Sequence, residues 1–517
     1  MRTVVSGGWV IDGAGGEGPG TVVIDRDRIE SVVFGKFEPS RVDSRVIDGS
    51  GLVVAPGLID MHSHDDVAAT DARIYEAKIR QGVTTSLIGL DGVGYAPVDS
   101  SWQRALTTYW TPVDGDPAGF VSPDLRTYGQ AFKGHLGLNV VLAVPFGNLR
   151  LRHGGWGLLP LKPDALAGLV ADVEEGLDAG AYGLTTGLGY VPQLAADRWE
   201  LRRVAAPLAS RSKIYASHIR NYGMEIMPAL DEALDLGRQL GIHVHLSHLH
   251  LSHPEMFGRA QELVQYLDRK RRDGLHLSFD VYPYSAGSSI LHSYLPAWLL
   301  DGGPDAALER LGNPKVIERL QTDPEILGYD WHQVVITRTR TGNHVGRSVA
   351  EAANERKTTP SKFMAEILIQ EQLEVGCVVH QTLEADDVVL AEDEGAVVGS
   401  DGIGYGQRPH PRYYGAFAAF FDRHVNQRRT MTMQAALAKM STRSAEIVGL
   451  RDRGRLQAGA AADLFVFDPK RYQAQSTYES PRLWARGVEY VLVNGALVLD
   501  RGHFFSDLRP GRVLSIL

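Results

Sequence analysis

Residues 56–66 read PGLIDMHSHDD, and this stretch gives the first indication of the fold. A Pro-Gly turn is followed by an apolar run that ends in His62 and His64, which are one residue apart. Residues two apart on a β-strand point to the same side, so both imidazoles should share a face while Ser63 points away. Imidazole nitrogens are common ligands of zinc and related metals, and the stretch therefore predicts a strand that ends at a metal site.

Apolar segments of this kind recur along the chain. The candidate strands lie in GLIDMHSH, VTTSLIGLD, LNVVLAVPF, AYGLTTGLGY, KIYASHIR, IHVHLSHLH, LHLSFDVYPY and AVVGSDG. Amphipathic stretches such as PDALAGLVADVEEGLDAG lie between most of them, a pattern typical of a parallel sheet. These eight units predict an α/β fold with a metal-bearing (β/α)8 TIM-type barrel at residues 56–440 and a helical insertion at about 288–375.

The two ends of the chain have a different pattern. Both alternate apolar and polar residues around glycine turns, as in GTVVIDRDRIESVVF and VEYVLVNGALVLDRG. We expect residues 1–55 and 441–517 to pair into one small β-sandwich beside the barrel.

The composition excludes several classes of protein. A net charge of −9 argues against a nucleic-acid-binding protein, which would need a basic surface. Cys377 is the only cysteine, so no intrachain disulfide can form, as is usual in a reducing compartment. The sequence contains no segment typical of a signal peptide or a membrane span, and we predict a cytoplasmic protein with no membrane partner.

Functional groups of such barrels lie at the carboxyl ends of the strands. Six side chains able to bind metal fall at these ends on five of the predicted strands: His62, His64, Asp91, His218, His248 and Asp401. One His-x-His pair would be weak evidence, but histidines and carboxylates at several strand ends together predict a metal centre. His250, next to His248 on the same face, is a candidate substrate contact.

With these motifs the chain resembles the amidohydrolase superfamily and, within it, a divergent member of the D-aminoacylase (N-acyl-D-amino-acid deacylase) family. The resemblance runs nearly from end to end and is carried by APGLIDMHSH, GAYGLTTGLGYVP, YASHIRN, DVYPYSAGSS, GSDG and HPRYYGAF. It implies a metal-bearing barrel with a small β-sandwich. It also implies hydrolysis of the amide between an acyl group and a D-amino acid, usually with zinc.

The resemblance also implies roles for single residues. The metal ligands of the family correspond to His62, His64, His218 and His248. Asp401 corresponds to the catalytic aspartate, which acts as general base and then general acid. Positions that line the substrate pocket of the family correspond to Tyr190, Tyr282, Ser288 and Arg412.

The chain departs from the family pattern at two important positions. Asp91 stands in GLDG where the family usually has a cysteine ligand, and His250 replaces a lysine that contacts the substrate carboxylate. A carboxylate can bridge ions and is a harder ligand than a thiolate. We therefore predict one or two zinc ions, with another divalent metal as the alternative, and a substrate pocket that is less cationic and more aromatic.

The leading prediction is a metal-dependent amidohydrolase that cleaves a linear, non-peptide C–N amide bond of a small molecule. One alternative keeps the fold and acts, as a hydrolase or lyase, on a cyclic amide, a carbamate or a specialised metabolite. A second alternative is a structural relative that has lost catalysis, and the intact ligand set argues against it. A homo-oligomer is compatible with barrels of this kind.

Overall fold

Strands and helices alternate through most of the chain. The computed structural model describes residues 2–35, 44–117 and 119–516. The strands are β1 (Arg2–Ile11), β2 (Glu17–Asp25), β3 (Arg28–Phe34), β4 (Ser44–Asp48), β5 (Val53–Pro56), β6 (Leu58–Asp60), β7 (Val83–Ile88), β8 (Asn139–Leu142), β9 (Val144–Pro145), β10 (Gly183–Gly187), β11 (Ile214–His218), β12 (His243–Leu246), β13 (Leu277–Val281), β14 (Gly287–Ile290), β15 (Val334–Thr339), β16 (Val375–Val379), β17 (Ala396–Val398), β18 (Leu464–Phe467), β19 (Val488–Val493), β20 (Ala496–Asp500), β21 (His503–Phe504) and β22 (Val513–Leu514).

The helices cover the strands and connect most of them. They are α1 (Ala72–Ile79), α2 (Gln103–Asp114), α3 (Leu125–Ala131), α4 (Phe146–Gly154), α5 (Pro163–Asp178), α6 (Arg198–Ser210), α7 (Ile226–Leu240), α8 (Ala260–Arg272), α9 (Ala297–Leu300), α10 (Pro304–Leu311), α11 (Pro314–Leu320), α12 (Pro324–Leu327), α13 (Val349–Glu355), α14 (Pro360–Gln370), α15 (Glu384–Glu392), α16 (Arg412–Phe421), α17 (Met433–Met440) and α18 (Thr442–Val448). Within the described ranges, every helix is too short or too polar to cross a bilayer.

Eight parallel strand positions form a closed barrel. β6 pairs with β7 and β7 with β8, which continues into β9; β9 pairs with β10, and pairing then runs through β11, β12 and β13 to β17. The ring closes where the Met61 amide donates to the Val398 carbonyl at 3.3 Å and the Asp401 amide donates to the His62 carbonyl at 2.8 Å. The strands are buried because helices cover them. Closure brings all eight carboxyl ends to one face.

The strands at the two chain ends form one nine-stranded sheet. Its order is β21-β20-β19-β18-β5-β1-β2-β3, with β4 paired to β1. β5, directly before the first barrel strand, pairs antiparallel with β18 and so joins the two chain ends. A separate apolar core that includes Val22, Ile24, Leu464 and Leu492 belongs to this sheet. The exact domain limits stay a prediction.

Two segments differ from the prediction. The insertion is not purely helical, because β14, β15 and β16 form an antiparallel three-stranded sheet among α9 to α14. The C-terminal segment does not lie wholly in the end sheet: α18 packs on β6 and β17, and β22 pairs in parallel with β8. β22 takes the edge of β8 that the step to β9 leaves unpaired, and unpaired strand edges are unfavourable.

Candidate metal centre

The predicted ligands and the predicted catalytic aspartate meet at the carboxyl face of the barrel. His62 and His64 follow β6, Asp91 follows β7, His218 ends β11, His248 follows β12, and Asp401 follows β17. His218 is the most exposed of them, with 18% of its side chain accessible. The structure therefore brings all six side chains into one buried cluster at the barrel mouth.

Asp91 lies between two pairs of histidines. Its Oδ1 is 3.4 Å from His62 Nε2 and 3.7 Å from His248 Nε2. Its Oδ2 is 3.8 Å from His64 Nε2 and also 3.8 Å from His218 Nδ1. Two groups of three potential ligands, whose ligand atoms lie within 4.8 Å of one another, share this carboxylate. A carboxylate so placed can bridge two ions.

The donor atoms of this cluster fit a metal. His62 Nε2 and Asp91 Oδ1 are buried and have no hydrogen-bond partner among the residues that the structure describes, although such atoms are normally paired. Burial lowers the pKa of His218 to about 3, so its imidazole is neutral and a ring nitrogen has a free lone pair. Histidine nitrogens and a carboxylate suit zinc and other divalent transition metals.

Unusual backbone conformations place these side chains. Asp91, His248 and Asp401 have φ values of +54°, +32° and +46°, in the left-handed region that few non-glycine residues adopt. Gly89, with φ +77°, begins the turn that brings Asp91 back over the end of β7. Such strain clusters at functional sites because the surrounding structure must enforce it.

Asp401 is held by an arginine beneath the centre. Its Oδ1 is 3.2 Å from His64 Nε2, and its Oδ2 is 2.8 Å from Arg412 Nη2. Burial raises the pKa of the Asp401 carboxyl, but Arg412 and His248 outweigh it and hold this pKa well below its usual range. The carboxylate is therefore ionised at neutral pH.

The structure places Arg412 next to the cavity, and its predicted contact with substrate stays a prediction. Its side chain is fully buried, pairs with Asp401, and lies 4.5 Å from the centroid of the Tyr282 ring. Asp401 and Tyr282 line the cavity above the centre, whereas Arg412 does not. The Nε and Nη1 of Arg412 are buried and have no hydrogen-bond partner among the residues that the structure describes.

A second carboxylate, Asp280 on β13, contacts two of the predicted ligands, His62 and His248. Its Oδ2 lies 3.5 Å from His62 Nδ1 and 3.0 Å from His245 Nε2, and its Oδ1 accepts the His248 amide at 3.0 Å. Carboxylates behind ligating histidines fix the ring orientation. The sequence offered a signal for Asp280, since it lies near the end of the seventh predicted strand.

Asp114 lies behind the other histidine of the first strand. Its Oδ1 is 3.7 Å from His64 Nδ1, and its Oδ2 accepts the Trp110 indole N–H at 2.7 Å. Both residues belong to α2, outside the barrel strands. No strand pattern could have indicated this residue.

A cavity of about 780 Å³ opens above the centre. Four of the predicted substrate contacts line it, namely Tyr190, His250, Tyr282 and Ser288. The Tyr190 ring centroid is 4.8 Å from that of His218. His250 stacks on Tyr222, with centroids 4.5 Å apart and planes at 7°. These side chains surround the space next to the ligands.

Comparison with known proteins shows to which family the chain belongs. A model described as "Amidohydrolase family" matches residues 352–499. An N-acyl-D-glutamate deacylase of Alcaligenes xylosoxydans xylosoxydans is 32% identical over 519 residues, which cover 99% of this chain and 96% of that protein. The chain belongs to the D-aminoacylase family of amidohydrolases. It is an amidohydrolase, a hydrolase of C–N bonds, as its sequence predicted.

Two solved structures of this D-aminoacylase family are similar over 99% of both chains, each with 29% identity and a TM-score of 0.83. One is the N-acyl-D-glutamate deacylase of Bordetella bronchiseptica with zinc and a phosphonate inhibitor that mimics the tetrahedral intermediate. The other is a D-aminoacylase with a binuclear metal centre. The predicted α/β fold class, a (β/α)8 barrel with a second domain, is confirmed.

Proposed function

We propose that this chain is a metal-dependent deacylase that hydrolyses the amide between an acyl group and a nitrogen of a small molecule. The observation that carries this proposal is Asp91 between two histidine pairs, with Asp401 facing the same space at the floor of the cavity. Similarity to an N-acyl-D-glutamate deacylase over nearly the whole chain supports the choice of an amide bond.

The residues that would hold the metal form two sets. His62, His64 and Asp91 make one set, and Asp91, His218 and His248 make the other. A divalent ion in such a site polarises an acyl carbonyl and makes water a better nucleophile near neutral pH. We propose zinc, supported by the zinc in the Bordetella structure, and two ions, supported by the binuclear centre of the D-aminoacylase.

Asp401 is the proposed general base and general acid. Because Arg412 binds Oδ2, the other oxygen of Asp401 is directed toward the ligands. Oδ1 accepts a proton from water as the water oxygen bonds to the acyl carbon. The same proton passes to the nitrogen as the C–N bond breaks, and the products are the amine and a carboxylic acid, which then loses its proton to solvent.

The test is release of acetate from a panel of N-acetyl amides by the zinc-loaded protein and by an Asp401→Asn variant. Asparagine keeps the shape but cannot accept the proton, so we expect kcat to fall by about 10²- to 10⁴-fold while bound zinc is unchanged. An Asp401→Asn variant as active as the parent would refute the assignment. Equal rates with and without zinc would refute the metal-dependent reaction.

A further inference from the structure

The side chain of Gln193 binds the backbone next to two of the predicted ligands. Gln193 begins the short turn Gln193–Ala195 after β10 and is fully buried. Its Nε2 donates to the Asp91 carbonyl at 2.9 Å, and its Oε1 accepts the Gly187 amide at 2.7 Å. Gly187 ends β10 and pairs in register with His218 on β11. One carboxamide therefore joins the loop that carries Asp91 to the strand pair that carries His218.

The residue that Gln193 binds has an unfavourable backbone conformation. Asp91 has φ +54° and ψ +22°, in the left-handed region, where the β-carbon is crowded. Such a conformation persists only where the surrounding contacts enforce it. The position of the Asp91 carboxylate depends on this conformation, and its two oxygens lie 3.4–3.8 Å from nitrogens of the four predicted histidine ligands. The hydrogen bond from Gln193 to the Asp91 carbonyl is one contact that enforces it.

Two glycines leave the space that the Gln193 carboxamide fills. Gly92 follows Asp91, and Gly147 lies in the first turn of α4. A β-carbon at Gly92 would clash with the Gln193 carboxamide. A β-carbon at Gly147 would lie 2.8 Å from Gln193 Nε2 and 2.6 Å from the Gly92 carbonyl oxygen, closer than such atoms pack. The segments that follow β7, β9 and β10 therefore converge on this one side chain.

Resting on the metal centre of the proposed function, we infer that Gln193 is a positioning residue that holds the Asp91 carboxylate between the two ligand sets. It lies outside the cavity lining and acts through the Asp91 backbone. Removal of the hydrogen-bond partners behind metal ligands typically weakens metal binding by about 10- to 100-fold. Because both ligand sets share Asp91, the loss of Gln193 should weaken the binding of each ion.

The first test measures zinc affinity in Gln193→Met, which keeps the length of the side chain and removes both hydrogen bonds. Gln81→Met is the matched control, because Gln81 is also fully buried and its Nε2 donates to the carbonyls of Ala77 and Tyr413, each at 2.9 Å. Competition with a chelator gives the zinc Kd, and circular dichroism gives the folded fraction. We expect Kd to rise at least about tenfold in Gln193→Met and to be unchanged in Gln81→Met.

A second readout separates positioning from a loss of stability. Cobalt replaces zinc in the parent and in both variants, and visible absorption reports the ligand geometry around the ion. Only Gln193→Met releases the Asp91 carbonyl. We therefore expect the cobalt spectrum to change in Gln193→Met and to match that of the parent in Gln81→Met.

A second variant leaves Gln193 in place. Gly147→Ala must displace either the Gln193 carboxamide or the Gly92 carbonyl, and we expect the zinc Kd to rise here as well. Gly129→Ala in α3 is its control, because the added methyl group would meet only ordinary contacts at 3.6 Å and beyond. This pair keeps the inference testable should Gln193→Met fail to fold.

The outcomes separate this inference from the proposed function. Weaker zinc binding and an altered cobalt spectrum in Gln193→Met, with the control unchanged, support the inference whether or not the parent releases acetate from an amide. Parent-like zinc affinity in folded Gln193→Met, or in Gly147→Ala, overturns the inference and leaves the deacylase function standing. Equal losses of affinity in Gln193→Met and Gln81→Met show a general loss of stability and also overturn the inference. A parent that binds no zinc overturns both.

Discussion

At the residue scale, Lys78 holds the first and last barrel strands together behind the metal ligands. This fully buried lysine contacts the Asp60 carboxylate, and its Nζ lies 3.4 Å from Asp65 Oδ2 and 2.8 Å from Ser400 Oγ. Asp60 precedes His62 by two residues, and Ser400 precedes Asp401. The lysine therefore fixes the backbone that carries a predicted ligand and the proposed catalytic group.

Replacing Lys78 by Met should unfold the protein more easily. Removal of one partner leaves buried charges uncompensated, and we expect the free energy of unfolding to fall by about 3–5 kcal/mol. Urea denaturation measures this change. Arg80→Met, two residues further on at the C-terminal cap of α1, is the control, because the pair of Arg80 with Glu76 at 2.6 Å is partly exposed and is expected to contribute about 1 kcal/mol or less. Equal losses in the two variants would contradict the account.

Sequence alternation could predict residues at strand ends but not their partners. His62 and His64 follow from the period of a strand, and Asp280 follows from the same rule applied to the seventh strand. Asp114 lies on a helix, and only the folded chain brings it to His64. The contact of Arg412 with Asp401 depends on side-chain packing, which no sequence pattern indicates. The substrate role of that arginine was predicted from the family resemblance and stays a prediction.

At the element scale, α17 carries a second buried lysine against the last barrel strand. Lys439 Nζ donates to the carbonyls of Asp393 and, at 3.1 Å, Ala396. Burial lowers the pKa of Lys439 from 10.5 to about 8. The folded protein therefore releases this proton at a lower pH than the unfolded chain does.

This difference predicts how stability changes with pH. Between pH 8 and 10.5 the unfolded chain retains a proton that the folded chain has lost, so the contribution of Lys439 to stability rises with pH. The stability of the parent relative to a Lys439→Met variant should rise by about 3 kcal/mol across this window. Thermal unfolding of both proteins at several pH values measures it. A difference that is constant with pH would show that the buried amine does not titrate in this way.

The strands and helices of the barrel could be predicted because each has its own local pattern of apolar residues. The strands of the insertion could not be predicted in this way. β14 pairs with β16, although about 85 residues separate them and several helices lie between. No hairpin turn marks such a pairing in the sequence. The sequence therefore predicted a helical insertion and missed the three short strands β14, β15 and β16.

At the scale of the whole molecule, the C-terminal tail joins the barrel to the end sheet. β22 pairs with β8, the Ile516 amide donates to the Gly180 carbonyl at 2.9 Å, and the Arg512 amide donates to Asn139 Oδ1 at 3.1 Å. Asn494, beside β19, donates to the same Asn139 oxygen at 2.7 Å. The apolar alternation of the two chain ends predicted their shared sheet, but it gave no indication of this tail pairing.

Deleting residues 513–517 should weaken the whole fold. The deletion removes the β22 pairing and the Ile516 contact, and we expect the free energy of unfolding to fall by about 2–4 kcal/mol. Chemical denaturation of the truncated protein measures it, with Leu508→Ala, at an exposed position shortly before the deleted segment, as control. A truncated protein as stable as the parent would show that the tail is dispensable.

We propose that Asp91, which is shared by the two ligand sets, would help to hold two divalent ions, and metal content tests this proposal most directly. Elemental analysis would compare the parent, Asp91→Ala and Asp66→Asn, all purified without chelators. Asp66 is a buried neighbour that accepts from the Gly89 amide and the Tyr128 hydroxyl, each at 3.2 Å, and it lies outside both ligand sets. We predict about two equivalents of divalent metal in the parent and in Asp66→Asn, and fewer in Asp91→Ala. Metal content unchanged by Asp91→Ala, or no metal in any of the three proteins, would contradict the account.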